Sequence, residues 1–293
     1  MSDPSAYVRE RSASGRRDLT YPGLPEPLHV PVFDNHCHLE IMDGDDPLSL
    51  DEQLARAASA GIAGVVQASG DVESSRWAVW AAEQHPQVLA AVAIHPNEAP
   101  TYEAAGGLDE AIAVIDELAA HPRVRAIGET GLDFFRTDDE GQPAQYRSFD
   151  AHIALAKKHG IAMQIHDRDA HDEVLRVLES VGAPEKTVFH CFSGDAEMAR
   201  IAADRGYYLS FAGNITFKNA QNLRDALAVT PAERILVETD APFLTPVPHR
   251  GRPNAPYLVP ITLRFMAAEL GVSVDELAAQ VAANTLEVYG TFA

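Results

Sequence analysis

Cysteine, positive charge and long apolar runs are all scarce in this 293-residue chain, and each scarcity excludes a class of protein. Two cysteines, Cys37 and Cys191, cannot build a disulfide framework; each stands beside a histidine and reads as a small buried thiol in a reducing cytoplasm. No stretch approaches the roughly 20 consecutive apolar residues that cross a bilayer, so a soluble protein without a membrane partner is expected. Lys and Arg number 23 against 43 Asp and Glu, a formal net charge of −20. Such a chain repels a polyanion at long range, which excludes broad coating of a duplex and leaves only short, local, cation-assisted contact with nucleic acid. Aromatic residues are sparse as well. Both tryptophans, Trp77 and Trp80, sit three apart on a predicted helix, where outer-layer packing accounts for them.

Residues 1–29 lack helical or strand periodicity and carry Arg9, Arg11, Arg16 and Arg17 ahead of a proline-rich entry through Pro22, Pro25, Pro27 and Pro31. The Arg16-Arg17 pair is not followed by the apolar region that an export signal needs. We read this segment as a solvated tail or strap, with local phosphate contact by its arginines as the functional alternative, ahead of a single domain over residues 30–293.

From residue 30 onward, short apolar runs alternate with helix-period segments. The runs cover 31–36, 62–68, 88–95, 124–129, 161–166, 187–192, 207–213 and 234–240, eight in all. Amphipathic stretches such as "DEAIAVIDELAAH" and "QYRSFDAHIALAKKHG" separate them, the second closing on a glycine suited to a helix C-cap. Strand-helix alternation demands a parallel sheet with right-handed crossovers, and eight such units close a barrel. The expected fold class is therefore α/β, a (β/α)8 TIM barrel.

In such a barrel the reactive site forms at the C-terminal ends of the strands. Runs one, four, five, six and eight finish on His36 and His38, Glu129, His166, His190 and Asp240. Alternate strand residues share a face, so His36 and His38 turn together toward the barrel axis and can grip one cation. Asp34 lies on that face one step deeper, placed to orient a histidine, while Cys37 points outward. Four imidazoles and two carboxylates exceed one tetrahedral ion and suit two divalent ions about 3.5–4 Å apart with a bridging carboxylate. Glu129 is the natural bridge, and Zn, Mn, Mg or Fe would each accept this donor set. His85, His121 and His159 close predicted helices, where they complement the helix dipole. His29, His152, His171 and His249 read as surface or packing residues.

At these residues the chain resembles the TatD family of metal-dependent hydrolases, often described as deoxyribonucleases. The stretches that carry the resemblance are "DNHCHL" (34–39), "IHP" (94–96), "GETGLDF" (128–134), "IHDRDA" (165–170), "HCFSG" (190–194), "ETDAPFL" (238–244) and "RGRPNAP" (250–256). They run in family order across nearly the whole chain from residue 32. The resemblance implies that His36, His38 and Asp240 hold one ion, that Glu129 bridges, and that His166 and His190 hold the second. It also implies hydrolysis of phosphodiesters, typically by trimming DNA from a 3′ end. Three departures stand out: Ala255 where the family usually has Glu in the last loop, Thr130 after Gly128-Glu129, and the arginine-bearing N-terminal extension.

Asp240 is the expected general base beside an attacking water, with Glu129 the second catalytic carboxylate. Positive or hydrogen-bonding groups must meet the substrate oxygens, and His95, Arg168, Asn214, Arg250 and Arg252 are the substrate-binding candidates. Phe134, Phe135, Phe192, Phe211 and Phe243 lie near strand ends, but packing accounts for them first and base readout is not expected. The leading expectation is a divalent-metal-dependent phosphodiesterase with DNA ends as its partner. Hydrolysis of another ester or amide, such as an aminoacyl-tRNA ester, a lactone or a cyclic amide, is the alternative on the same barrel, and a noncatalytic metal-binding scaffold is a remote third. Nothing in the sequence calls for an obligate protein partner; a monomer or weak oligomer is expected.

Overall fold

All eight apolar runs become parallel strands in the computed structural model, which describes residues 3–11 and 17–292. They are β1 (Val32–Cys37), β2 (Ile62–Gln67), β3 (Val88–Val92), β4 (Val124–Asp133), β5 (Ala162–Arg168), β6 (Thr187–Phe189), β7 (Tyr208–Phe211) and β8 (Ile235–Val237). Sequence order is also sheet order from β1 to β8, as successive right-handed βα units dictate. Helices between them start where capping side chains satisfy free amides, as at Ser49, Asp71, Asp195 and Ser273, and the helix Gln142–His159 stops at Gly160 in a left-handed conformation. No single helix among the described residues is long and apolar enough to cross a membrane.

One apolar cluster takes residues from every strand: Phe33, Val66, Leu89 and Ala91, Ala126, Ala162, Val188, Tyr208 and Leu236. The C-terminal helix adds Val288 and Tyr289, and Phe292 stacks on Phe33 with ring centroids 4.5 Å apart, plugging the barrel floor. A second, larger cluster joins the outer strand faces to the helices. With the floor filled by carbon, the polar interior residues are gathered at the opposite end.

Two strands differ most in length from expectation. β8 leaves the ladder after Val237 because the next residues turn to bond β1: the Asp240 amide donates to His36 O at 2.9 Å, and the His38 amide to Ala241 O at 2.7 Å. β4 continues to Asp133 because its pairing with β5 resumes at Thr130 after a register break beyond Ile127. That break spans Gly128 and Glu129, the irregularity that a β-bulge uses to re-aim a side chain.

The described part of the N-terminal segment is not a solvated tail. Arg9–Glu10 forms a short parallel pair with Ile41–Met42, Leu28 N–H bonds Ala60 O, and the Tyr257 hydroxyl donates to Pro22 O at 2.6 Å. Its backbone polar groups find partners on the barrel loops, so it is a strap. Arg16 lies outside the described residues.

His152 belongs to the core. Its Nδ1 faces Ser148 O at 2.6 Å and its Nε2 accepts the Ile94 amide at 3.1 Å, so only the neutral ring satisfies both contacts. Burial pushes this imidazole down to about 4. An unfolded chain takes up the proton near pH 6.5, so the contribution to stability is complete above that pH and is lost as pH falls toward 4. In urea unfolding between pH 6 and 4.5, the wild-type protein should lose stability about 1.4 kcal/mol per pH unit faster than His152→Gln. Parallel slopes for the two proteins would contradict this role.

Candidate metal centre

His36 and His38 stand where β1 meets the end of β8, and their Nε2 atoms approach each other to 3.3 Å. Glu129 Oε2 lies 3.6 Å from both, and Asp240 Oδ1 lies 3.9 Å from His36 Nε2 and 3.6 Å from His38 Nε2. Donors bound at about 2.0–2.2 Å around one tetrahedral ion sit roughly 3.3–3.6 Å apart, so His36, His38 and Glu129 have the span of a single cation site, with Asp240 at its edge. Around the other oxygen of the same carboxylate, Glu129 Oε1, stand His166 Nδ1 at 2.6 Å, His190 Nε2 at 2.8 Å and His95 Nε2 at 3.3 Å. Glu129 thus divides its two oxygens between two donor groups.

Several supporting residues were invisible in the strand-end pattern. Gln164 donates its amide hydrogens to Asn35 O and the Tyr289 hydroxyl, at 2.6 and 2.8 Å, so its Oε1 must face His36 Nδ1 at 2.9 Å. This fixes the His36 tautomer with Nδ1–H donating and leaves Nε2 with a free lone pair. Strand alternation places Gln164 on the same face as His166, two residues on, which was the available signal. Glu238 Oε1 faces His190 Nδ1 at 3.3 Å and accepts the Cys191 amide at 2.7 Å. Asp133 Oδ2 faces His166 Nε2 at 3.1 Å and accepts from the Asn97 amide at 3.0 Å. His38 has no such partner among the described residues; the Phe243 ring packs edge-on against it at 6.2 Å.

Asp34 does something other than orient a histidine ring. Its carboxylate accepts the Thr239 amide at 2.9 Å and the Thr239 hydroxyl, and so sews β1 to the end of β8. The backbone itself is strained around the donors: Asp240 and Cys191, non-glycine residues, hold φ values of 54° and 42°.

His38, Glu129, His166, His190 and Asp240 line a cavity of about 580 Å³, within the range of small-ligand sites. His95, Arg168 and Asn214 line it too; the Arg168 guanidinium lies 3.9 Å over the Phe135 ring, and the Asn214 amide faces Cys191 Sγ at 3.8 Å. The final-loop arginines do not. Arg252 donates to the Thr20 and Tyr21 carbonyls at 2.8 and 3.0 Å, binding the strap, and Arg250 stacks over Phe217 at 4.2 Å. Ala255 is fully buried beside Tyr257 and Leu258, while Asn254 ties this loop to β8's end through the Thr239 and Phe243 carbonyls.

Electrostatically the centre demands positive charge. Burial would raise Glu129, but the imidazoles of His190 and His95 and hydrogen bonds from His166 and His190 hold it well below the usual carboxylate range. Burial would likewise lower His38, yet Asp240, Glu40 and Glu129 raise it to about 9. His166 and His190, each wedged between two carboxylates, are also raised against the opposing effect of burial. Protons on these rings supply the charge that cations would bring, and a donor set of neutral imidazoles and carboxylates fits divalent ions.

The chain matches the family described as TatD related DNase over residues 33–290. It is 43% identical over 263 residues to an uncharacterized metal-dependent hydrolase TatD of Mycobacterium tuberculosis, covering 88% of this chain and 98% of that one. Identity is 34% over 247 residues to the 3′-5′ ssDNA/RNA exonuclease TatD of Erwinia amylovora, covering 82% and 93%. Among solved structures, a TatD homolog from Escherichia coli K12 superposes with a TM-score of 0.79 at 28% identity, covering 88% and 97%.

If Gln164 sets the His36 tautomer, Gln164→Leu should weaken divalent-cation binding about 10–100-fold in competition with a chromophoric chelator, with the circular dichroism spectrum unchanged. Equal affinities in variant and wild type would remove Gln164 from the centre.

Proposed function

The chain belongs to the TatD-related DNase family of metal-dependent hydrolases, and from this we propose that it hydrolyses phosphodiester bonds at the 3′ ends of nucleic-acid strands using two divalent cations, drawn from Zn, Mn, Mg or Fe. One observation carries the reading: Glu129 offers Oε2 to His36 and His38 and Oε1 to His166 and His190, the arrangement of a carboxylate shared by two ions. Divalent cations held by His36, His38, Glu129, His166, His190 and Asp240 would supply a water of lowered pKa and positive charge for the phosphate oxygens.

The chain's own residues do the rest. Asp240 touches the first donor group and lines the cavity, so its carboxylate is placed to take the proton of the attacking water. Glu129 keeps both donor groups in register across the reacting phosphate. His95 and Arg168 present N–H donors to the nonbridging oxygens, and Asn214 adds an amide on the β7 side. His36 and His190, one from each donor group, stack with ring centroids 3.8 Å apart. The formal charge of −20 opposes approach of a long duplex, which favours a strand end entering the mouth over an internal site. The activity named for the Erwinia relative supports the same substrate class.

The test strips the protein with a chelator, restores Mn²⁺, Mg²⁺ or Zn²⁺ separately, and assays single-stranded DNA with free 3′ ends beside bis(p-nitrophenyl) phosphate. Activity should vanish and return with metal. Asp240→Asn should lower kcat about 10²–10⁴-fold, and Glu129→Ala should bind fewer ions by elemental analysis and lose comparable activity. Near-normal turnover by Glu129→Ala would dismiss the shared carboxylate. Cleavage of a lactone or an aminoacyl ester with no phosphodiester turnover would assign the centre to another hydrolysis.

A further inference from the structure

The family match begins at residue 33, yet two residues of the strap, Arg9 and Arg11, line the cavity that holds the donor groups. Their position is enforced by backbone: the Arg9 amide donates to Glu40 O at 3.1 Å and the Arg11 amide to Met42 O at 2.9 Å. Upstream, the Tyr7 hydroxyl bonds the Asp71 carboxylate at 3.2 Å, pinning the strap to the start of the helix Val72–Gln84. In a two-residue strand step Arg9 and Arg11 project to the same side.

Carboxylates share this wall: Glu98 lines the same cavity, and Glu40 and Asp43 face the guanidiniums. Asp43 accepts from both Arg11, at 2.9 Å, and Arg17, at 2.6 Å, so one carboxylate serves two guanidiniums. Arg11 is further held by Pro242 O at 2.7 Å and by the Phe243 ring, 4.8 Å from its guanidinium carbon, which fixes its remaining donors in place. Arg9 faces buried Glu40 only at 3.8 Å, and its side chain is 40% exposed. Strand order puts β4 and β5 across the barrel from the β8–β1 seam, and there Arg168 lies over Phe135, which is 62% exposed. An exposed aromatic ring beside a guanidinium, across the mouth from Arg9 and Arg11, offers what a single-strand groove uses, where bases stack and arginines follow the phosphates.

We propose that the strap is a substrate-binding element, with Arg9 and Arg11 holding a backbone phosphate of a single-stranded oligonucleotide other than the one being cleaved. The proposal rests on the phosphodiester reading and deepens it: the preferred substrate is a strand of several nucleotides. Placing arginines at this mouth matters in a chain of net charge −20, because the overall field opposes the ligand and only local donors can hold it.

The test compares a dinucleotide, which carries only the phosphate to be cleaved, with an eight-nucleotide single strand, on metal-loaded wild type, Arg9→Gln and the Arg9→Gln/Arg11→Gln pair. In the wild type KM should fall as the strand lengthens. That length advantage should shrink about tenfold for each guanidinium lost, and the slope of log KM against log salt should become shallower by about 0.7 per arginine. An intact length advantage with an unchanged salt slope in both variants would overturn the strap's role while leaving the hydrolysis standing. If the wild type cleaves neither the dinucleotide nor bis(p-nitrophenyl) phosphate, the phosphodiester reading itself falls and the strap proposal falls with it.

Discussion

The seam between the first and last strands is the constraint on which the metal centre depends. It is not a regular ladder: a single parallel bridge joins Cys37 to Ala241. Side chains make up the difference, with Asp34 accepting from Thr239 and the Asn35 amide donating to Val237 O at 2.8 Å. Three of the candidate ligands sit within this stitching, and backbone bonds at His36 O and the His38 amide fix them against Asp240 and Ala241. Residues 36–38 and 240, about 200 positions apart, therefore keep their spacing only as long as the barrel is closed. The stitching is buried, so each broken bond would leave an unsatisfied polar group at a cost of about 1–3 kcal/mol.

Across the barrel from that seam, one carboxylate links the two halves of the site. Glu129 reaches the axis because the β4–β5 pairing skips it, and the pairing resumes at once. Resumption requires Gly131, whose φ is 140° and whose missing side chain leaves room for the His166 carbonyl. A larger residue there would push β5 away and carry His166 with it. The bulge, the glycine and the imidazole that answers Glu129 form one local device, and that device lets a single acid face donors on two sides.

The fold was legible because its signals are local. Five of the eight runs carry a histidine or acid at or beside their ends that belongs to the candidate ligand set, and the rule that barrel strands point their C-terminal ends at one rim converts scattered histidines into a cluster. Partnership was less legible. Asp34 looks like a histidine's companion by alternation, but Thr239 claims it, and nothing near residue 34 announces a partner about 200 residues away. Arg252 carries the charge a phosphate would want, but the strap's Thr20 and Tyr21 carbonyls satisfy it first. Asp133 escaped notice because the strand was expected to stop at Glu129, and Gln164 because an amide within an apolar run resembles a core exception. Ala255, where the family usually has Glu, is enclosed by apolar neighbours, and the loop's attachment to β8 comes from Asn254 beside it.

Acid in this chain is distributed by depth. Glu129, Glu238 and Asp133 are buried among imidazoles, where a carboxylate is stable only beside positive charge. The same carboxylates raise His38, His166 and His190 against the opposing effect of burial, so the site favours positive charge, which divalent cations would supply. The buried acids thus call for positive charge at the donors, while Arg9, Arg11, Arg136 and Arg168 line the same cavity. Acidic groups elsewhere act through water and salt, which screen them within about 10 Å. A charged ligand at the mouth therefore feels chiefly the few groups inside that distance, Arg9, Arg11 and Arg168 among them.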